Sequence, residues 1–295
     1  MKNFVLCCGS TADLSAGRLR ERDIEYIPFH YFMDGVEHVD DLGQSMPYDE
    51  FYAAMTRGVV TKTSQINADE YETFFEPWLK EGRDILYVAL SSGISGAYNS
   101  SLIAKKALQA KYPERKIFMI DSLGASSGYG LLMEALADLR DEGKPIEEVA
   151  AWADEHKLNV HHWFFSTDLT FYVRGGRISK AAGWFGTIFN ICPLLNMDDK
   201  GKLIPRKKVR TKNKVVREIV NAMEATADNA TAYDGRCYIS HAACMADALA
   251  VKELAEERFP ALKGKVRIFD IGTTIGSHTG PGTVALFFFG KKREE

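Results

Sequence analysis

Short apolar runs alternate with longer amphipathic ones through the first half of this chain, and that rhythm constrains the fold more than any other feature. Residues 4–8, 26–32, 85–90 and 117–120 have the length and content of strands. Between them, Tyr48, Phe51, Tyr52 and Met55 recur at helical spacing, as do Tyr71, Phe74, Phe75 and Trp78. Strands separated by helices imply a parallel sheet covered on its faces. Residues 125–142 and 146–156 read as two consecutive helices, with Pro145 suited to the second one's start. The texture then changes: strands at 164–167, 202–210, 237–241, 266–271 and 284–289 are mixed with helices near 213–226 and 245–258. The 202–210 strand follows the turn Asp198-Asp199-Lys200-Gly201, which predicts a hairpin. The expected architecture is α/β in two domains. A parallel-sheet domain spans 1–158 and a mixed-sheet domain spans 159–295.

Composition bounds what such a chain does. Net charge is −3 over 295 residues, so no general basic field exists to hold nucleic acid. Five scattered cysteines form no CxxC pair, which fits a reducing compartment. The opening apolar run is too short for a signal peptide. The longest candidate span, 181–195, is broken by Gly183, Gly186, Asn190 and Pro193, against the ~18 apolar residues a membrane helix needs. A cytoplasmic location is expected. His161-His162 and His241-Ala242-Ala243-Cys244 lack a complete metal-ligand set, and no cofactor is called for.

The chemistry concentrates in a few segments. Ser91-Ser92-Gly93-Ile94-Ser95-Gly96-Ala97-Tyr98-Asn99-Ser100 follows a strand and enters a helix. Amide groups at a helix start, with hydroxyls beside them, suit an anion; the plain alternative is a Ser/Gly cap. No GK[ST] follows, which excludes a nucleotide P-loop. Thr61-Lys62-Thr63-Ser64-Gln65 is a second hydroxyl cluster, followed by Ile66-Asn67-Ala68-Asp69 at a helix entry off the same sheet edge, where the two clusters could meet on one ligand. Neutral donors suit a carboxylate better than a phosphate. Arg174-Gly175-Gly176-Arg177-Ile178-Ser179-Lys180 reads as an arginine-flanked turn between domains, with Ser179 able to cap a following helix. In Ile275-Gly276-Ser277-His278-Thr279-Gly280-Pro281-Gly282, three glycines and a proline predict a rigid loop around one histidine.

Taken in order, TSQ at 63–65, SSGISGAYNS at 91–100, DS at 121–122, RGGRISK at 174–180, KVR at 208–210 and SHTGPG at 277–282 resemble the DegV family of fatty-acid-binding proteins across essentially the whole chain. The resemblance implies a long-chain fatty acid between two α/β domains. Its carboxylate would lie near Thr63, Ser64, Ser92, Ser95 and His278, and it would be presented to a separate fatty acid kinase. Arg210, the arginine of KVR, would then face the partner. Gly9-Ser10-Thr11, Ile66-Asn67, Ala97 and Cys192 depart from the family's usual residues. Phe164, Phe171, Trp184, Phe185, Ile188, Phe189 and Phe287 are candidates to line an acyl tunnel.

Two rival readings come from other classes. Gly93-Ile94-Ser95-Gly96-Ala97 is one residue short of a nucleophile elbow, and the order Ser95, Asp270, His278 matches that of α/β-hydrolases. The alternative is therefore a serine hydrolase. The basic run 206–214 offers a docking face instead, although such a run is commonly a solvated strand edge.

Overall fold

The computed structural model describes residues 4–178 and 191–294. Strand β1 (Phe4–Gly9) is buried at every position. A strand with no solvent face must be covered on both sides. Helix α1 (Ala16–Glu21) starts where the Ser15 side chain accepts the Arg18 amide, after a short 3-10 turn at Ser10–Ala12. The chain then returns as β2 (Ile24–Ile27), parallel to β1.

The strand expected over 26–32 is in fact two. Pro28 has no amide to donate to a ladder. Beyond it, β3 (His30–Met33) leaves for a separate antiparallel sheet with β4 (Val36–Val39). Helix α2 (Tyr48–Thr56) intervenes before β5 (Thr61–Ser64) adds to the other side of β3. The 61–65 hydroxyl cluster is therefore a strand of this small sheet, not a helix entry on the parallel one. The helix entry read over 66–69 is in place, opening at Asn67. Its side chain accepts the Glu70 amide while Glu70 reaches back to the Asn67 amide, and this reciprocal cap opens α3 (Ala68–Lys80).

Strand β6 (Asp84–Ala89), helix α4 (Ala97–Lys111) and β7 (Ile117–Asp121) complete a parallel sheet of order β2-β1-β6-β7. Helices α5 (Ser126–Asp141) and α6 (Ile146–His156) follow, close to the predicted bounds. Strand β8 (Val160–Phe165) opens the second sheet, and α7 (Thr170–Arg174) follows it. Strands β9 (Leu194–Met197) and β10 (Leu203–Lys207) form the expected hairpin. After α8 (Lys212–Thr226) come β11 (Cys237–His241), α9 (Met245–Arg258), β12 (Arg267–Asp270), α10 (Thr273–Thr279) and β13 (Val284–Phe289). The order is β10-β9-β8-β13-β11-β12, mixed because only β11 and β12 run parallel.

Helix α5 joins the two halves. Thirteen of its residues are buried, and its side chains share one core with Leu6 and Val88 of the parallel sheet and with Phe164, Tyr238 and Phe287 of the mixed sheet. The close approach depends on Gly128, where a Cβ would sit 2.5 Å from both His162 Nε2 and Phe287 Cδ1. Helix α10 crosses the other way: it follows β12 of the mixed sheet but packs on β3, β5 and α2. The space between the sheets is thereby lined from both halves. Among the described residues no helix is long and apolar enough to cross a membrane.

Candidate ligand cavity

Between the sheets lies a cavity of about 360 Å³. That is at the low end of the roughly 300–1,000 Å³ typical of small-molecule sites. Most of its wall is apolar, including Phe29, Leu90, Phe164, Met197, Leu203 and Phe287. Two of the predicted tunnel residues, Phe164 and Phe287, are thus in place. Phe171 is not among the lining residues and packs instead against the cluster of Tyr31, Phe51 and Tyr52, while Trp184, Phe185, Ile188 and Phe189 lie outside the described residues, as do Ser179 and the helix it was to cap.

Thr63, Ser64, Ser95 and His278 all reach the cavity. Alternation along β5 would ordinarily send Thr63 and Ser64 to opposite faces, yet both line the cavity. His278 sits in the last turn of α10 rather than on the predicted loop; the glycines that follow end the helix, with Gly280 at φ 69°. Its Nε2 is 2.7 Å from Thr63 Oγ1, and its buried Nδ1 has no protein partner. Burial, with the Arg177 charge nearby, pushes this imidazole down to about 3, so it is neutral at ordinary pH. Gly175 makes room for it: a Cβ there would lie 2.3 Å from His278 Nδ1.

Ser95 Oγ accepts the Ala97 amide at 3.2 Å, so the hydroxyl still has its proton to donate. Ser92 does not line the cavity: its side chain is exposed, and its amide donates to Asp121 Oδ1 at 3.1 Å. Turning at Ser91, whose hydroxyl donates to the Gly201 carbonyl, the loop points Ser95 inward and Ser92 outward. Arg210 is exposed beyond β10.

Arg177 carries a role that the motif reading left to a turn. Its Nε donates to the Ile94 carbonyl at 3.2 Å and one terminal nitrogen to the Gly175 carbonyl at 2.5 Å, which holds the guanidinium against the cavity. Desolvation lowers its pKa from the usual range, and no carboxylate offsets that among the described residues. Arginines flanking a double glycine were the available signal, but nothing in their spacing told Arg177 from Arg174, which is exposed.

Most other polar groups on the described wall are already engaged, except Thr279, whose buried Oγ1 has no protein partner. Ser126 donates to Asp13 at 2.5 Å, Thr274 donates to Asp40 at 2.6 Å, and Tyr172 and Thr283 bond each other at 3.1 Å. His162 accepts the Ala125 amide and donates to the Val160 carbonyl; burial keeps it neutral. The unspent polar capacity therefore gathers around Thr63, Ser95, Arg177, His278 and the adjoining Thr279.

The family model described as uncharacterised protein, DegV family, matches residues 4–291. The chain belongs to the DegV family. A DegV domain-containing protein of Clostridium perfringens is 35% identical over 294 residues, covering 100% of both chains. A crystal structure described as a DegV lipid binding protein from Thermotoga maritima is 25% identical, covers 100% of both chains and superimposes with a TM-score of 0.85. The Streptococcus pneumoniae fatty acid kinase B3 protein, solved loaded with linoleic acid, is 22% identical over 98% of this chain and 100% of its own, with a TM-score of 0.83. The α/β fold, a parallel-sheet domain followed by a mixed-sheet one, is that of solved DegV proteins.

Among the described residues of this DegV chain, Ser95, Asp270 and His278 are not joined in a hydrolytic relay. Asp270, the acid of the rival reading, lies 3.5 Å from His241 Nε2. His278 has no carboxylate at Nδ1 to orient it, and no hydrogen bond joins it to Ser95 among the described residues. Three residues in the right chain order are therefore split between two histidines.

Proposed function

We propose that this chain binds one long-chain fatty acid in the cavity between the sheets, its carboxylate held by Thr63, Ser95, His278 and Arg177, with Ser64 beside them. One observation carries the reading: a partly buried guanidinium, with no counter-charge among the described residues, sits beside unspent hydroxyl and imidazole groups in a cavity whose wall is mostly apolar. An anion with a long apolar tail answers both halves of that description. Burial of an acyl chain gains about 0.8 kcal/mol per methylene, on the order of 10 kcal/mol gross. The carboxylate's desolvation is offset only by several donors together. The lipid binding described for the Thermotoga maritima relative supports the same class of ligand.

The finer reading is that the carrier keeps the carboxylate within reach of a separate fatty acid kinase, with Arg210 on the contact surface. The support is the exposure of Arg210 and the likeness of fold to a fatty acid kinase component. Organic extraction of the purified protein, followed by mass analysis, tests the binding claim. About one equivalent of fatty acid is expected, with a rise in melting temperature when palmitate or oleate is added to stripped protein. Extracts without acyl chains, together with no thermal shift, would overturn it.

A further inference from the structure

Helix α10 delivers His278 to the cavity, yet its start has no cap of its own. The residue at the N-cap position is Gly272, which has no side chain to accept an amide. The missing acceptor comes from the other half of the chain. Asp40, just past β4 and buried, accepts the Thr274 amide at 3.3 Å and the Thr274 hydroxyl at 2.6 Å, both on Oδ2. The same oxygen accepts the Ser10 hydroxyl at 3.1 Å, and Ser10 in turn accepts the Phe29 amide. The Asp40 amide donates to the Phe29 carbonyl at 2.8 Å, so the carboxylate is fixed at its own backbone as well.

Thr274 and His278 are four residues apart, one helical turn, and therefore lie on the same face; both line the cavity. A shift of the first turn carries directly into the second, because no flexible segment separates them. At the far end of that turn His278 meets Thr63, which β5 holds from the N-terminal half. Two anchors from one half thus grip a short helix contributed by the other: Asp40 at its start and Thr63 at its end.

We propose that Asp40 is a positioning residue for His278, capping α10 across the chain and thereby setting the register of the imidazole against Thr63. The inference rests on the fatty-acid reading for its consequence, but not for its geometry. Asp40 touches no ligand; it acts through the helix.

The test is a pair of substitutions with two readouts, taken at a temperature where circular dichroism shows each variant folded. The first readout is the imidazole nitrogen resonances of His278 in lipid-free protein, and the second is the affinity for oleate. Asp40→Ala should shift the His278 resonances and weaken oleate binding about fivefold to tenfold, the scale of a lost cap. Asp40→Asn keeps an acceptor oxygen and should restore both to near wild type. Should Asp40→Ala fail to fold, Thr274→Val decides by removing the 2.6 Å bond while keeping the side-chain shape. It too should shift the His278 resonances. Unshifted resonances in the folded Ala variant, or in the Val variant when it stands in, would overturn the proposal, as would an Asn variant as impaired as the Ala one. A wild-type protein that ignores oleate would sink the lipid reading alone, and the resonances would still decide Asp40.

Discussion

A guanidinium drawn out of water without a carboxylate beside it carries an unmet electrostatic demand, and Arg177 is in that position. Replacing it by methionine keeps much of the stem and removes the charge. Fatty acid affinity should fall by roughly 1.5–3 kcal/mol, or about 10- to 150-fold, in a displacement titration. Thr63→Val should act in the same direction with smaller effect, since a neutral donor is lost; wild-type affinity in both would mean the head group binds elsewhere. A second residue-scale expectation concerns Asp13. It is buried and accepts from Ser126, with the acidic groups Asp40 and Asp270 and the phenols of Tyr48 and Tyr52 nearby. Its pKa is raised well above the usual carboxyl value, mainly by desolvation. The folded state therefore holds more protons than the unfolded state above the reference value of ~3.9, and stability falls as pH rises through the raised pKa. Asp13→Asn should flatten that decline, read as urea midpoints from pH 5 to 8 compared with wild type. An identical slope in the variant would contradict it. Ser95 was legible at this scale because hydroxyls between glycines after a strand suit an anion. Ser92 was not separable from it, since only the turn at Ser91 decides which hydroxyl faces inward.

Elements were read best where packing follows local pattern. Strand β1 and helices α5 and α9 lie within a residue of the bounds expected over 4–8, 125–142 and 245–258, and α3 carries the apolar spacing and the Asn67–Glu70 cap of an amphipathic helix. The misreadings share a cause. The strand over 26–32 and the placing of β5 both turned on a third sheet whose partners are non-local, with Thr63 pairing Tyr31 across 32 residues of chain. The Gly-Pro-Gly after His278 signals a loop more strongly than the two helical turns that carry it signal a helix. The oxygen that caps its first turn lies more than 230 residues away, where no local pattern could reveal it. Packing of α5 on β8 and β13 gives an element-scale prediction. Gly128→Ala would put a methyl 2.5 Å from His162 and Phe287, too close for either ring to stay. Destabilisation of about 1–3 kcal/mol is expected from overpacking, with a loss of acyl binding as Phe287 moves into the cavity. An unchanged urea midpoint would show that α5 is not pressed against the mixed sheet.

For the whole molecule, the α/β architecture and family membership were readable because six short motifs occur in order along nearly the full chain. What the order of motifs could not supply is which side chains converge. Thr63, Ser95, Arg177 and His278 come from a strand edge, a loop, a turn and a helix end, and only the opposed sheets bring them together. Arg210 stands apart from that convergence, exposed past β10. Arg210→Ala should leave oleate affinity within about twofold, as expected for a surface residue, while lowering acyl phosphate formation in an assay reconstituted with a fatty acid kinase; loss of oleate binding would move Arg210 into the site. The central claim is that one carboxylate is held at one polar cluster, and carboxyl-labelled oleate tests it most directly. Titrated into stripped protein and followed by 13C NMR, it should give a single bound carboxyl resonance that saturates at one equivalent and is displaced in Arg177→Met. Multiple bound resonances, saturation well above one equivalent, or a signal indifferent to Arg177 would contradict the account.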